Sequence, residues 1–428
     1  MSSAVLNRLK DEYGAVRAVL PPGVIGAERR REALEALCAQ GLPAARDENW
    51  RYTDLRILEQ ARFAPVQTQA AALPPLPEVP EGFARYVFVD GRLHSGAGAA
   101  HGVTVHTART DDASAAAWRL EARLPEARLA LLNETFATDA VSIEVAAGTQ
   151  AAGIELVFIA SAAATEGASY PRVRLALGAD SRLSVIERHL GRAEAPSLVT
   201  SAVQVDLAPH AALTHYRVQQ LGAQAAWFDT LSAELAADAR YEMLAVGAGA
   251  LSARSTVHAR LSGRGAEFSL AAAALADGQQ SLDLYALSEH VAPRTRTEQT
   301  FRGIASNRSR AAFNGKVVVR EGARGTDSRQ SLRGLLDGAQ CEVDLRPQLE
   351  IYTDEVSCSH GATAGKLDEN MLFYLLSRGI APEAAQHLLK WAFLEDVIAK
   401  ITLSDLRRQI ETTLLGQMRE LETLKELL

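Results

Sequence analysis

Cys358-Ser359-His360 places a thiol and an imidazole two residues apart. On an extended strand, residues i and i+2 project to the same face, so both groups would aim in one direction. Thiolate is a soft ligand and imidazole a borderline one, a pairing suited to iron, copper, zinc or sulfur chemistry. A metal site normally needs about four ligands, and the other cysteines of the chain are Cys38 and Cys341. A four-cysteine cluster cannot be built from this chain alone. Any site at Cys358 and His360 must borrow ligands from a partner.

The pair lies where strand-like sequence gives way to helices. Upstream, Tyr86-Val87-Phe88-Val89 closed by Asp90-Gly91 reads as a strand and turn. Val141–Val145, Val173–Leu175 and Val203–Leu207 alternate in the same way, and Ala253 to Leu270 behaves similarly through Val257, Phe268 and Leu270. A small-residue corner followed by a polar residue and an apolar strand recurs at Gly178-Ala179-Asp180, Ala208-Pro209-His210, Ala237-Asp238-Ala239, Gly265-Ala266-Glu267 and Gly322-Ala323-Arg324. The first four corners are about 28 to 30 residues apart, a period that suits one coil of a β-solenoid. An antiparallel sandwich with hairpin turns is the alternative.

Helices are expected on either side. Leu6, Leu9, Tyr13, Val16 and Leu20 recur at helical spacing before Pro21-Pro22-Gly23, and a second helix is expected over Ala27–Gln40. There Leu34, Leu37 and Cys38 share a face, which makes Cys38 a buried small apolar residue. The stretch 63–82 is rich in proline and reads as an extended linker. Ala113 to Asn133 reads as helix broken at Pro125. Asp368 and Glu369 open a helix through Met371, Leu372, Leu375 and Leu376, with Gly379 at a left-handed cap. Pro382 starts the next helix, whose buried stripe is expected to be Leu388, Leu389, Ala392, Phe393, Val397 and Ile401. Ser404 is an expected N-cap for a last helix striped by Leu406, Ile410, Leu414, Met418, Leu421 and Leu428. The divisions are thus an N-terminal helical region (1–62), the linker (63–82), a strand-rich core (83–363) and a C-terminal helical domain (364–428).

Composition narrows the function. At 428 residues, 47% hydrophobic and 23% charged, the chain is an ordinary globular sequence long enough for two or three domains. A net charge of −7 without like-charge blocks argues against nucleic acid as a partner. The richest apolar run, Ile154 to Ala164, is too short to cross a bilayer, and the start lacks a secretory signal. Three irregularly spaced cysteines fit a reducing compartment, so a cytoplasmic location is expected. Gly361-Ala362-Thr363-Ala364-Gly365-Lys366 has one residue too few for a phosphate loop, and Leu367 stands where Ser or Thr would hold magnesium. His210, His215 and His258 lie among strands and read as surface or satisfied core histidines.

The segment Leu349 to Thr363, with Leu367-Asp368-Glu369 and Phe373 to Ile380, resembles the SufB/SufD family of iron–sulfur cluster assembly proteins. Phe313-Asn314-Gly315-Lys316-Val317-Val318-Val319, Thr326-Asp327 with Gln330, and Pro347-Gln348-Leu349-Glu350 extend the resemblance. Glu48-Asn49-Trp50-Arg51-Tyr52-Thr53 is similar to the N-terminal signature of the SufD branch. Chain length and the serine after Cys358 favour that branch over a SufB-like scaffold subunit.

The resemblance implies a mainly β protein. Its core would be a right-handed parallel β-helix (solenoid) flanked by an N-terminal helical region and a C-terminal helical domain. It further implies a non-catalytic scaffold that pairs with SufB through the β-helix. The SufC ATPase, which would hydrolyse the ATP, would bind the C-terminal helices, with Leu372, Phe373, Tyr374, Arg378, Gly379 and Ile380 as candidate contacts. His360 and Cys358 would contribute to iron supply and cluster building at the partner interface. No intrinsic cofactor is expected, only a transient iron–sulfur cluster shared with SufB. A reduced flavin is associated with such complexes, but the sequence carries no flavin fingerprint. Two copies of the chain could pair through the same solenoid edge when SufB is missing. The rival from another class is a β-solenoid carbohydrate-active enzyme or acyltransferase. Aromatic content of 6% is low for sugar stacking, and hexapeptide acyltransferases repeat at a much shorter period.

Overall fold

Strand after strand in the middle of the chain turns a corner, crosses to a second sheet and returns one step further along. The computed structural model describes residues 3–44, 46–67, 73–96, 100–107, 125–161, 167–191 and 196–418. One sheet runs in the order β2 (Arg92–Gly96), β1 (Phe83–Val89), β5 (Gly153–Ala160), β8 (Arg182–Gly191), β10 (Ala212–Gln220), β12 (Arg240–Gly247), β14 (Glu267–Ala276), β16 (Arg296–Ser306), β18 (Asp327–Asp337) and β20 (Ser357–Gly365). The other runs β19 (Glu342–Ile351), β17 (Arg310–Val319), β15 (Ser281–His290), β13 (Ser252–Leu261), β11 (Ala225–Leu235), β9 (Ser197–Leu207), β7 (Arg172–Leu177), β4 (Val141–Val145) and β3 (Val103–Thr107), with the short β6 (Ala168–Ser169) also paired to β9. Pairing is parallel except for β1 with β2 and β3 with β4. This is a parallel β-solenoid with two strands per coil, which excludes the antiparallel sandwich.

The corners form their own ladder. Asp180, His210, Asp238 and Arg294 take left-handed backbone angles. Their N–H groups donate to the carbonyls of Pro209, Ala237, Arg264 and Arg324 one coil further on, at 2.8–3.0 Å. Crowding there dictates small residues: a Cβ on Gly263 would sit inside the backbone of Ala236 and Ala237. The corner at Pro293-Arg294 fills the gap in the sequence series.

Inward side chains of the two sheets form one apolar core that includes Leu156, Val185, Leu213, Tyr241, Phe268, Leu231 and Phe313. Strands in the middle are covered on both faces, so they are buried throughout instead of alternating. α1 (Ser3–Val16), α2 (Ala27–Gln40) and α3 (Ala130–Phe136) cover the outer face of the second sheet through Leu9, Leu37, Leu132 and Phe136 against Ala168, Leu198 and Phe228. Cys38 is only half-buried at the margin of that cluster, because Leu37 takes the inner position. Of the helix expected over Ala113–Asn133, the part before residue 125 lies outside the described residues; a 3-10 turn at Pro125–Ala127 leads into α3.

Residues 48–53 run across the outer face of the second sheet and touch four successive coils. Glu48 pairs with Arg346 on β19, and Asn49 accepts from Asn314 on β17 at 3.2 Å. Thr53 donates to Asp283 on β15 at 2.5 Å, and the Trp50 ring lies 4.0 Å from the Arg254 guanidinium on β13.

Past the solenoid come α4 (Glu369–Ser377), α5 (Pro382–Ile398) and α6 (Ser404–Gln417). Leu394, Val397, Ile398, Ile401, Leu406, Ile410 and Leu414 pack on the outer face of the first sheet against Tyr216, Leu244, Val246 and Ile304. The α5 stripe is thus rotated from the expected one. Leu388 and Leu389 are half-buried and Ala392 is exposed, because the solenoid meets the flank that carries Leu394 and Ile398. Ser404 is the first helical residue instead of the N-cap, which is Leu403. Leu421 and Leu428 lie outside the described residues.

Candidate functional site

β20 ends the first sheet and β19 ends the second, each with one edge unpaired among the described residues. β20 reads Ser-Cys-Ser-His-Gly-Ala-Thr-Ala-Gly, with no Lys, Asp, Glu or Pro to discourage pairing. A Cβ added at Gly361 or Gly365 would meet nothing within 4 Å. The outer edge of the strand is therefore open to pairing with a further strand. The rejected phosphate loop is part of it: Gly361–Gly365 is extended strand, not a loop.

Cys358 and His360 share a face of β20, as their spacing requires. In register they stand over Ser328 and Gln330 of β18, both buried in the solenoid interior. The pair therefore occupies interior-facing positions on the last coil, where no further coil covers them. Cys358 is half-buried against Leu349, Val356, Val317 and Val319. Burial, with the Asp327 carboxylate adding to it, pushes its thiol above the ordinary range. It is thus mostly protonated at neutral pH and must lose that proton to ligate. His360 is exposed. No group of three or more His, Cys, Asp or Glu side chains placed to hold a metal occurs among the described residues. The arrangement places a thiol and an imidazole, two groups able to ligate a metal, side by side on an open edge.

Beneath His360 lies a stack of amides that sequence reading left without a role. Gln330 Nε2 donates to Gln299 Oε1 at 2.9 Å and to Gly315 O at 3.0 Å, and Gln299 Nε2 donates to Ser288 Oγ at 2.9 Å. Gly315 makes room for them, since a Cβ there would come within 2.6 Å of both amides. Polar residues recurring at the coil period on inward positions were the available signal. A parallel stack lies below Cys358, where His290 contacts Thr297 and Thr297 contacts Ser328.

A second ionisable cluster lies deep inside. Arg217 bonds Glu187 and Asp229, at 2.7 Å in each case, and Glu187 also accepts from His189 at 2.6 Å and His215 at 3.1 Å. Burial would raise the Glu187 carboxyl, but Arg217 and the imidazoles outweigh it and hold it well below the usual range. His215 also meets the Tyr241 hydroxyl, so it is a satisfied core histidine. His210 is exposed, and His258 lies near Glu289 at 3.5 Å.

The second surface feature is α4, begun by Asp368, whose carboxylate accepts from the N–H groups of Asn370 and Met371. It buries none of its residues. Met371, Phe373 and Tyr374 are 57%, 71% and 56% exposed, a patch that single scattered apolar residues do not make. Leu372 and Ile380 are half-buried, while Arg378 is exposed with its guanidinium 5.2 Å from the Tyr374 ring centre. Gly379 takes the left-handed cap at φ +84°. Exposed Ile351 and Tyr352 lie at the end of β19.

The molecule is a parallel β-solenoid covered at its flanks by helices, with an uncovered terminal coil that carries a thiol and an imidazole. Residues 158–393 match the family described as SUF system FeS cluster assembly, SufBD core domain. The chain belongs to this SufB/SufD family of iron–sulfur cluster assembly proteins and is SufD-like within it. It is 30% identical over 402 residues to the iron–sulfur cluster assembly protein SufD of Escherichia coli (strain K12), covering 91% of this chain and 92% of that one. An iron–sulfur cluster assembly SufBD family protein of Synechocystis is 25% identical over 414 residues, 89% of each chain. The chloroplastic protein ABCI7 of Arabidopsis thaliana is 30% identical over 252 residues, 58% of this chain and 53% of that one. Among the described residues no helix is long and apolar enough to cross a membrane.

Proposed function

We propose that this chain is the SufD-type subunit of a cytoplasmic iron–sulfur cluster assembly complex. It pairs with a SufB-type subunit through the free edges of β19 and β20 and presents His360, backed by Cys358, to iron and sulfide gathered at that interface. The observation that carries this reading is an unprotected terminal strand bearing two metal donors and no third. A neutral imidazole binds iron without prior activation, whereas burial makes the Cys358 thiol the weaker donor. The cluster is cargo, completed by ligands from the partner. A second copy of this chain can take the same edge when the partner is absent.

α4 is the docking surface for a SufC-type ATPase, through Phe373, Tyr374, Leu372, Arg378, Gly379 and Ile380, with Met371 added from its exposure. Three residues, 366–368, separate β20 from α4, so movement of the ATPase is communicated over a short connection to the strand that holds His360. The test is co-expression with SufB and SufC, followed by anaerobic cluster assembly on the purified complex. His360→Ala is expected to abolish assembly while subunit stoichiometry stays intact. Normal assembly by an intact His360→Ala complex would remove His360 from the site.

A further inference from the structure

We propose that Gln330 is a positioning residue for His360: its amide oxygen accepts one imidazole N–H and leaves the other ring nitrogen free to bind iron. The proposal rests on the reading of His360 as an iron ligand.

Gln330 is 4% exposed and lies on the coil beneath His360, in register and on the same interior face. Adjacent strands are about 4.8 Å apart, a span that a glutamine side chain bridges. The amide orientation is fixed from below. Both Nε2 donors are used, one on Gln299 Oε1 and one on Gly315 O. Flipping the amide would set its oxygen against two other oxygens. Oε1 is therefore committed to the remaining direction, and it is buried without a hydrogen-bond donor in the isolated chain. A buried carbonyl without a donor is uncommon, and the side chain that stands above Gln330 in register is His360.

The apparatus behind Gln330 is built for this orientation. Gln299 is itself held by Ser288, and Gly315 leaves the space in which the two amides meet. Histidine ligands of metals regularly donate their other N–H to such a fixed acceptor, which sets the tautomer and the direction of the lone pair. His360 is exposed in the single chain, so the bond closes when a partner strand and iron bring the ring down over the coil end.

The experiment is anaerobic Fe(II) titration of the purified three-component complex with wild-type, Gln330→Leu, His360→Ala and doubly substituted chains. Gln330→Leu is expected to weaken iron binding 10- to 100-fold with unchanged subunit stoichiometry, and to add nothing in the His360→Ala background. Gln330→Asn, one methylene shorter, should lose affinity similarly and serves if the leucine variant does not assemble. Wild-type affinity in an assembled Gln330 variant would overturn the positioning role, as would an equal loss with and without His360. If His360→Ala itself leaves iron binding unchanged, the parent reading fails, and the positioning role fails with it.

Discussion

Acidification tests the buried stack beneath the terminal coil through His290. This side chain is fully buried, with Nδ1 2.7 Å from Thr295 Oγ1 and Nε2 3.0 Å from Thr297 Oγ1. One hydroxyl can donate and the other accept, which suits a neutral ring. Burial without a carboxylate lowers its pKa to about 4 from the ordinary 6.5. As pH falls below 6.5 the unfolded chain takes up a proton here and the folded chain does not, so stability declines until the folded ring titrates near pH 4. The full difference is worth about 3 kcal/mol; above pH 6.5 the residue has no such effect. His290→Asn keeps a donor and an acceptor but removes the titration. Urea unfolding of both proteins between pH 7 and pH 4 should show wild type losing about 3 kcal/mol more than the variant. His215, whose pKa is also lowered by burial, contributes equally to both and cancels. Parallel curves would refute the assignment of a neutral, proton-resisting ring to this position.

Three further outcomes follow from the packing. Arg217→Leu should cost about 3–5 kcal/mol in chemical denaturation, since it strands Glu187 and Asp229 without their cation inside the core; a loss below about 1 kcal/mol would mean that water reaches the network. Gly263→Ala should sharply reduce the yield of folded protein, measured by size exclusion and circular dichroism, because the added methyl meets the Ala237 backbone. Phe373→Ser should leave stability within about 0.5 kcal/mol yet release the ATPase partner in pull-downs, since Phe373 is among the most exposed side chains of α4.

The coil period was legible because small residues stack at every corner. Pro293-Arg294 escaped because arginine stands at a left-handed position that the adjacent coils fill with Gly265 and Gly325, a residue type that takes that conformation without strain. The common face of Cys358 and His360 followed from strand alternation alone. The Glu187–Arg217–Asp229 network did not, since a charged residue in a strand reads as outward until its partners across the core are known. α5 is apolar on two flanks, and helical periodicity cannot say which one the solenoid covers; Leu394 and Ile398 decide it. Gln330 belonged to the family resemblance, but its task depends on Gly315, which reaches it only through the coiling of the chain.

Residues 48–53 have a consequence for the order in which the molecule takes shape. Their anchors, from Arg254 to Arg346, are made some two to three hundred positions later in synthesis. Contacts so distant in sequence cannot form until the later coils have been wound. The segment that leaves the ribosome early must wait unclasped, then fasten four finished turns at once like a buckle.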